Sequence, residues 1–216
     1  MSKIQIIDKP DWISWDSIHE VLLEAHKKNI EKGIVMRYPQ MKGSEIEKTL
    51  GEEGRCWVAL DGDKLIGTDS VTFFTGKDWW NKNQKVAHVC FTGILQKYQG
   101  LGILEDLNEC VEAYIKDRNV SMSQGTTAEN NYNMREWLAN NSYKTVGYFC
   151  SKSHHYSVIV VKWFDKCSFS DNFINFRCKI SEILVKIQYK PGKIERFWLL
   201  SLFCKCINKL LKLISY

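Results

Sequence analysis

The 216-residue chain carries 30 Lys and Arg against 25 Asp and Glu, a formal charge of +5. With 44% apolar residues, 12% aromatic residues and three prolines it can bury a sizeable core, which excludes a disordered chain. The charge is not spread as in a nucleic-acid-binding protein: residues 164–216 hold ten Lys and Arg against four Asp and Glu, a net +6, and the body is left at −1. Nucleic acid is therefore not an expected partner. The first residues, MSKIQIIDKPDW, lack the apolar run of a signal peptide. Nowhere do about 18 apolar residues follow one another, so the sequence predicts a cytoplasmic chain without a spanning helix. Eight cysteines in such a chain are expected as reduced thiols. Cys56, Cys90, Cys110 and Cys150 fall in apolar segments, and no zinc-ligand spacing occurs, so no metal is expected.

In chain order, Ile4–Ile7 reads as a short strand closed by Asp8-Lys9-Pro10. Ile18, Val21, Leu22 and Ala25 recur at helical spacing and predict one helix from Trp15 to Lys32, stopped by Gly33. Ser44-x-x-Glu47 reads as a capping box opening a second helix, ended by Gly51 and Gly54. Arg55–Leu60 and Leu65–Phe74 flank Asp61-Gly62-Asp63, the pattern of an antiparallel hairpin. Val86–Leu95 is a third strong strand, followed by Gln99-Gly100-Leu101-Gly102 and a helical stripe of Leu104, Leu107, Val111, Tyr114 and Ile115. A strand at Met122–Thr126, a helix at Asn131–Asn140, and strands at Tyr143–Cys150 and Tyr156–Trp163 complete the body. This order predicts an α/β fold with a mixed, mostly antiparallel central sheet and helices on both faces, with a C-terminal two-helix appendage. The boundary falls between a body at 1–163 and a basic amphipathic tail at 164–216.

The segment between the third strand and its helix is the most informative. A glycine turn opening a helix aims several unpaired N–H groups at one point, which favours a phosphate, although many such turns are only tight connections. Strand, Gln99-x-x-Gly102, amphipathic helix, short strand and then Asn131-x-x-Met134 on a further helix together resemble the GCN5-related N-acetyltransferase family. The resemblance covers about residues 1–163. It implies acetyl-CoA as cosubstrate, its pyrophosphate held by the backbone of Gln99, Gly100, Leu101, Gly102, Ile103 and Leu104. Leu104 stands where the family pattern has Gly or Ala. The resemblance further implies that the strand splays at Ile94 and Leu95, whose amides would pair with the pantetheine, and that Asn131 contacts the cofactor arm. Seven residues beyond Asn131, where many members carry a Tyr that protonates the departing thiolate, this chain has Leu138.

An amine attacks a thioester only when neutral, so a base is needed, and His88, mid-strand beside the expected thioester, is the first candidate. The alternative is a partly buried histidine bonded inside the sheet. Asp69, a carboxylate within a strand, reads as an acceptor-binding residue or, more simply, as part of a solvated face. His154 and His155 read as loop residues near the acceptor or merely exposed. Arg37, in the loop at 33–43, suits an anionic group of the acceptor or an ordinary surface position. Trp79-Trp80 would pack on a sugar ring, line the cleft or cover the sheet edge.

In the tail, Phe173, Phe176, Ile180, Ile183, Leu184 and Ile187 mark a helix capped by Ser170 or Asp171. After Lys190-Pro191-Gly192-Lys193, the segment Ile194–Ile214 has a broad apolar face and a polar stripe of Ser201, Lys205, Asn208, Lys209 and Lys212. That pattern suits peripheral contact with the inner face of a membrane, or packing on the body or in a homodimer. The expected activity is an acetyl-CoA-dependent N-acetyltransferase acting by direct attack on a small amine, an amino sugar being one such acceptor. The alternative is a degenerate acyl-CoA-binding domain attached to a membrane or partner.

Overall fold

The computed structural model describes residues 4–34, 37–150, 156–167 and 169–188. They form two compact units: 4–75, 85–125 and 163–165 in the first, and 76–84, 126–162 and 166–188 in the second.

The first unit is built on β1 (Ile4–Asp8), β2 (Arg55–Asp61), β3 (Lys64–Thr75), β4 (Lys85–Ile94) and the start of β5 (Met122–Ala128). β1–β2, β2–β3 and β3–β4 pair antiparallel. β4 and β5 run parallel, through Ala87↔Ser123 and His88↔Gln124. The sheet is thus mixed and mostly antiparallel, as the sequence pattern implies.

Helices cover both of its faces because β2 alternates between two cores. Cys56, Val58 and Leu60 pack with Ile18 and Leu22 of α1 (Trp15–Ala25) and with Ile46 and Leu50 of α3 (Gly43–Leu50). Ala59 and Trp57, pointing the other way, meet Ile103 and Leu107 of α4 (Ile103–Asp117). Further along α4, Val111 and Ile115 close over Val71, Ala87 and Val120.

Two local readings change. The helix expected from Trp15 to Lys32 breaks at His26, and α2 (Lys27–Glu31) follows as a separate turn. No glycine or proline marks the break; it lies where the His26 ring leaves the helix to bond the sheet. The expected capping box also moves by two residues: Glu45, not Glu47, reaches back, accepting from the Lys42 N–H at 2.8 Å. Ser44 lies inside the first turn of α3.

The second unit contains α5 (Tyr132–Asn140), β6 (Lys144–Cys150), β7 (Tyr156–Trp163, its last residue in the first unit) and α6 (Asp171–Gln188). β6 and β7 form an antiparallel pair from Lys144↔Val161 to Cys150↔Tyr156. Leu138, Tyr143, Val158 and Val160 make its core. α6, the first helix expected of the tail, is joined to β6 by Ser181, whose hydroxyl accepts from the Tyr148 N–H at 3.0 Å and donates to the Tyr148 carbonyl at 3.3 Å. The second expected tail helix, Ile194–Ile214, lies outside the described residues, as do His154 and His155. No helix among the described residues is long and apolar enough to cross a membrane.

One glycine sets the spacing of the first unit. A Cβ on Gly93 of β4 would lie 3.1 Å from Leu22 Cδ2, 3.2 Å from Ala25 Cβ and 3.5 Å from His26 Nε2. Its bare backbone lets the end of α1 approach β4 closely. Gly93→Val is expected to force the helix from the strand and destabilise the fold by roughly 1–3 kcal/mol or more, read as a lower urea midpoint at unchanged slope.

Candidate functional site

The end of β4 departs from a regular strand. Thr68 pairs with Gly93 and Ser70 with Cys90, so Phe91 and Thr92 together stand opposite Asp69 alone. This is a β-bulge, and Phe91 occupies it with φ of 55°. The described β4–β5 pairs end at His88↔Gln124, so the bulge lies past the last of them.

Three contacts hold the bulge. Phe91 is 2% exposed, its ring buried with Ile18, Leu22 and Ile46. Thr92 Oγ1 donates to Asp69 Oδ1 at 2.6 Å. His26 Nε2–H, at the end of α1, donates to the Thr92 carbonyl at 2.8 Å. That bond fixes the tautomer, since a carbonyl can only accept. His26 Nδ1 is buried and has no hydrogen-bond partner among the described residues, and burial pulls the imidazole's pKa below its ordinary value, against a smaller upward pull from the Thr92 carbonyl.

Asp69 is 1% exposed, so the solvated-face reading of this carboxylate does not hold. Beside Thr92, it also accepts from the Ser70 N–H at 2.9 Å. Burial outweighs both bonds and pushes its pKa up to about 7. Sequence reasoning missed this role because a carboxylate within a strand is ordinarily on a wet face.

The loop after α2 returns to the same place. His19 Nε2–H donates to the Tyr38 carbonyl at 2.9 Å, and the Tyr38 ring lies 5.0 Å from that of His26. Arg37 is thereby set with its guanidinium 5.1 Å from the Phe91 ring centroid. It is exposed and has no ion pair among the described residues. Its charge also reaches His88, whose pKa is lowered first by burial and then by Arg37. His88 is half-buried, opposite Thr72 and Gln124 in the sheet, and its ring meets Phe74 edge-on at 6.3 Å. Burial raises the thiol of Cys90 far above its usual range and that of Cys56 as well, so neither is poised as a nucleophile.

Beyond β4 the chain makes a 3-10 turn, Gln96–Tyr98, anchored by the Tyr98 hydroxyl, which donates to Asp61 Oδ2 at 2.8 Å. Gly100 and Gly102 follow at φ of 78° and 80°, each with open space where a Cβ would stand. In α4 the Asp106 N–H donates to the Gly102 carbonyl at 3.1 Å, and the N–H groups of Ile103 and Leu104 precede that bond. Their side chains, by contrast, belong to the core with Leu107, and Leu101 is exposed. One expectation is corrected here, and the side chain of Gln99 finds a partner of its own. The Leu95 N–H, expected to be open, donates to the Ile66 carbonyl at 2.9 Å. Gln99 turns inward, its Nε2 donating to the Ile94 carbonyl at 2.9 Å, so it braces the turn.

The remaining expected residues lie in the second unit. Asn131 caps α5 with its backbone, while its Nδ2 donates to Thr127 Oγ1 at 3.3 Å. Leu138 is 9% exposed and belongs to that unit's core. Trp79 is half-buried and Trp80 buried. Trp79 is held by Phe169, Phe173 and the Arg177 guanidinium at 4.9 Å, and Trp80 is buried near Gly147.

The model of the acetyltransferase (GNAT) family matches residues 15–141. No curated protein matches the chain. The fold is similar to that of a GNAT-family acetyltransferase from Staphylococcus aureus Mu50, at 17% identity and TM-score 0.59, over 76% of this chain and 100% of that one. It is similar to Arabidopsis thaliana NAA60 in complex with a bisubstrate analogue, at 16% identity and TM-score 0.57, over 74% and 100% of the two chains. A GNAT-family acetyltransferase from Elizabethkingia anophelis with acetyl-CoA bound matches at 11% identity and TM-score 0.52, over 74% and 97%. At these identities the likeness is one of fold.

The Asp69 carboxyl makes stability depend on pH with a definite sign. With a folded value of about 7 against 3.8 unfolded, the folded chain keeps a proton that the unfolded chain releases, so stability falls as pH rises between them. Asp69→Asn cannot ionise. It is expected to gain on the wild type by up to about 4 kcal/mol as the pH of a urea titration is raised from 4 to 8.

Proposed function

Because the chain belongs to the acetyltransferase (GNAT) family, we propose that it moves an acetyl group from acetyl-CoA to the amine of a small acceptor, by direct attack in a ternary complex. Membership makes it an acyltransferase acting on amine-bearing substrates. The observation that carries the reading is the turn from β4 into α4. Gly100 and Gly102, at positive φ and with nothing where a Cβ would stand, open a cradle in front of backbone N–H groups that precede the first bond of α4. A pyrophosphate fits such a cradle through backbone contacts alone, aided by the helix dipole. Acetyl-CoA supplies the thioester; the chain supplies the alignment. Holding two reactants in line contributes several kcal/mol by itself, which allows a site with few charged groups to work.

The acceptor amine must lose a proton to attack, and His88 is assigned as the base that takes it. Burial and Arg37 keep this imidazole neutral near pH 7, the form that can accept. The exposed Arg37 guanidinium beside the bulge favours an acceptor that carries a carboxylate or phosphate near its amine.

Acetyl-CoA is expected to raise the melting temperature in proportion to the logarithm of its concentration, and a panel of amines should release free CoA thiol. Stabilisation without thiol release on any amine would instead support an acyl-CoA-binding module. No stabilisation would reject both readings. Arg37→Ala should raise KM for an anionic amine about 10- to 100-fold with little change in kcat, and leave a neutral amine unaffected. His88→Gln should lower kcat about 100-fold or more. In the wild type the rate should fall as pH drops through the lowered pKa of His88, and His88→Gln should remove that limb.

A further inference from the structure

A buried guanidinium is costly unless a hydrogen-bonded anion meets it. Arg177 of α6 shares a helix face with Ile174 and Ser181 and is only 7% exposed. Its Nη1 is buried with no hydrogen-bond partner, and Arg177 makes no ion pair among the described residues. What it meets is aromatic. Its Cζ lies 4.9 Å from the ring centroid of Trp79 and 5.8 Å from that of Phe173, on which Phe169 stacks at 5.6 Å. Such rings stabilise the charge, but they do not replace the oxygen acceptors that the five N–H groups of an arginine call for. The nearby carboxylates are engaged elsewhere: Asp171 pairs with Lys144, and Glu129 and Glu182 pair with Lys186. Asp78, next to Trp79, is exposed. Burial lowers the pKa of Arg177 and no anion opposes that pull, yet a guanidinium stays charged at neutral pH.

We propose that Arg177 is the receptor for a carboxylate, which its N–H groups hold beside Trp79 and Phe173. A planar carboxylate matches the guanidinium fork, and its single charge balances the single cation. A phosphate dianion would leave an excess charge among apolar rings. Two sources offer this chemistry. One is Glu195, the only acidic residue after Glu182. Arg177 lies about 17 Å of helix before the end of α6 at Gln188, and the residues from there to Glu195 span up to about 23 Å when extended, so the chain is long enough to return. The other source is a small free carboxylate. Arg177 and its aromatic neighbours all belong to the second unit, and the proposal does not depend on the acetyl-transfer reading.

The test reads the guanidinium directly. The full chain is labelled with 15N-arginine and its NMR spectrum recorded in carboxylate-free buffer, with Arg177→Lys identifying the signal of Arg177. A carboxylate held through two N–H groups hinders rotation of the guanidinium, so its Nη signals separate and their protons shift downfield. If Glu195 is the source, the wild type shows separated signals and Glu195→Gln loses them. If a free carboxylate is the source, the wild type shows an averaged signal that sodium acetate separates saturably and sodium chloride at equal ionic strength does not. Urea midpoints give a second readout that needs no assignment. With Glu195 as source, Arg177→Met and Glu195→Gln each lower the midpoint, and the double variant falls no further than Arg177→Met alone. With a free source, acetate raises the midpoint of the wild type and leaves that of Arg177→Met where it was. An averaged signal that acetate does not change overturns the proposal. So does a separated signal that survives Glu195→Gln in carboxylate-free buffer, or an Arg177→Met midpoint at or above that of the wild type both with and without acetate.

Discussion

Phe91 cannot hold a φ of 55° unaided. A side chain of that size prefers the extended region by enough that an isolated strand would straighten, and straightening would move every β4 residue beyond it by one place. Since side chains alternate along a strand, such a slip would turn Gly93 away from α1 and Ile94 away from α4. The two cores on opposite faces of the sheet therefore depend on the same irregularity. Phe91 fills the core with α1 and α3, and Ile94 fills the one with α4. What looks like a local defect in β4 sets the register of the residues that enter the glycine turn.

The pieces that secure it are scattered along the chain. His26 comes from the end of α1, Asp69 from β3, and Tyr38, against the His26 ring, from the loop that carries Arg37. The glycine turn has its own supports. Gln99 reaches back to Ile94, and Tyr98 reaches to the turn between β2 and β3. Between the bulge and the turn the backbone is tied at several points within a few residues, so the two features behave as one stiff piece of chain. A site that works by alignment needs such stiffness more than it needs reactive side chains.

Much of this fold was legible from local runs and spacing. Runs of strand-forming residues located β2, β3 and β4, the Asp61-Gly62 turn joined two of them, and the helical stripe from Leu104 to Ile115 marked α4. The glycine turn was legible for another reason: Gly100 and Gly102 stand where other residues would be strained. The bulge left no such mark, since Cys90-Phe91-Thr92 reads as ordinary strand. The break at His26 was hidden too, because Glu24, Ala25, Lys27 and Lys28 around it favour helix and only a tertiary bond overrides them. Asp69 was misjudged for a related reason. A carboxyl enters a core only when a partner waits there, and Thr92 lies 23 residues away in sequence.

The interleaving of the two units has its own consequence. Each is assembled from three stretches of chain, and residues 163–165 of the first are made only after nearly all of β7 in the second. The Phe164 N–H bonds the Ser121 carbonyl at 2.8 Å, and Lys116 of α4 lies over the Phe164 ring. A nascent chain emerging from the ribosome thus cannot complete the first unit and then begin the second. The first unit therefore closes only after β7 of the second has been made.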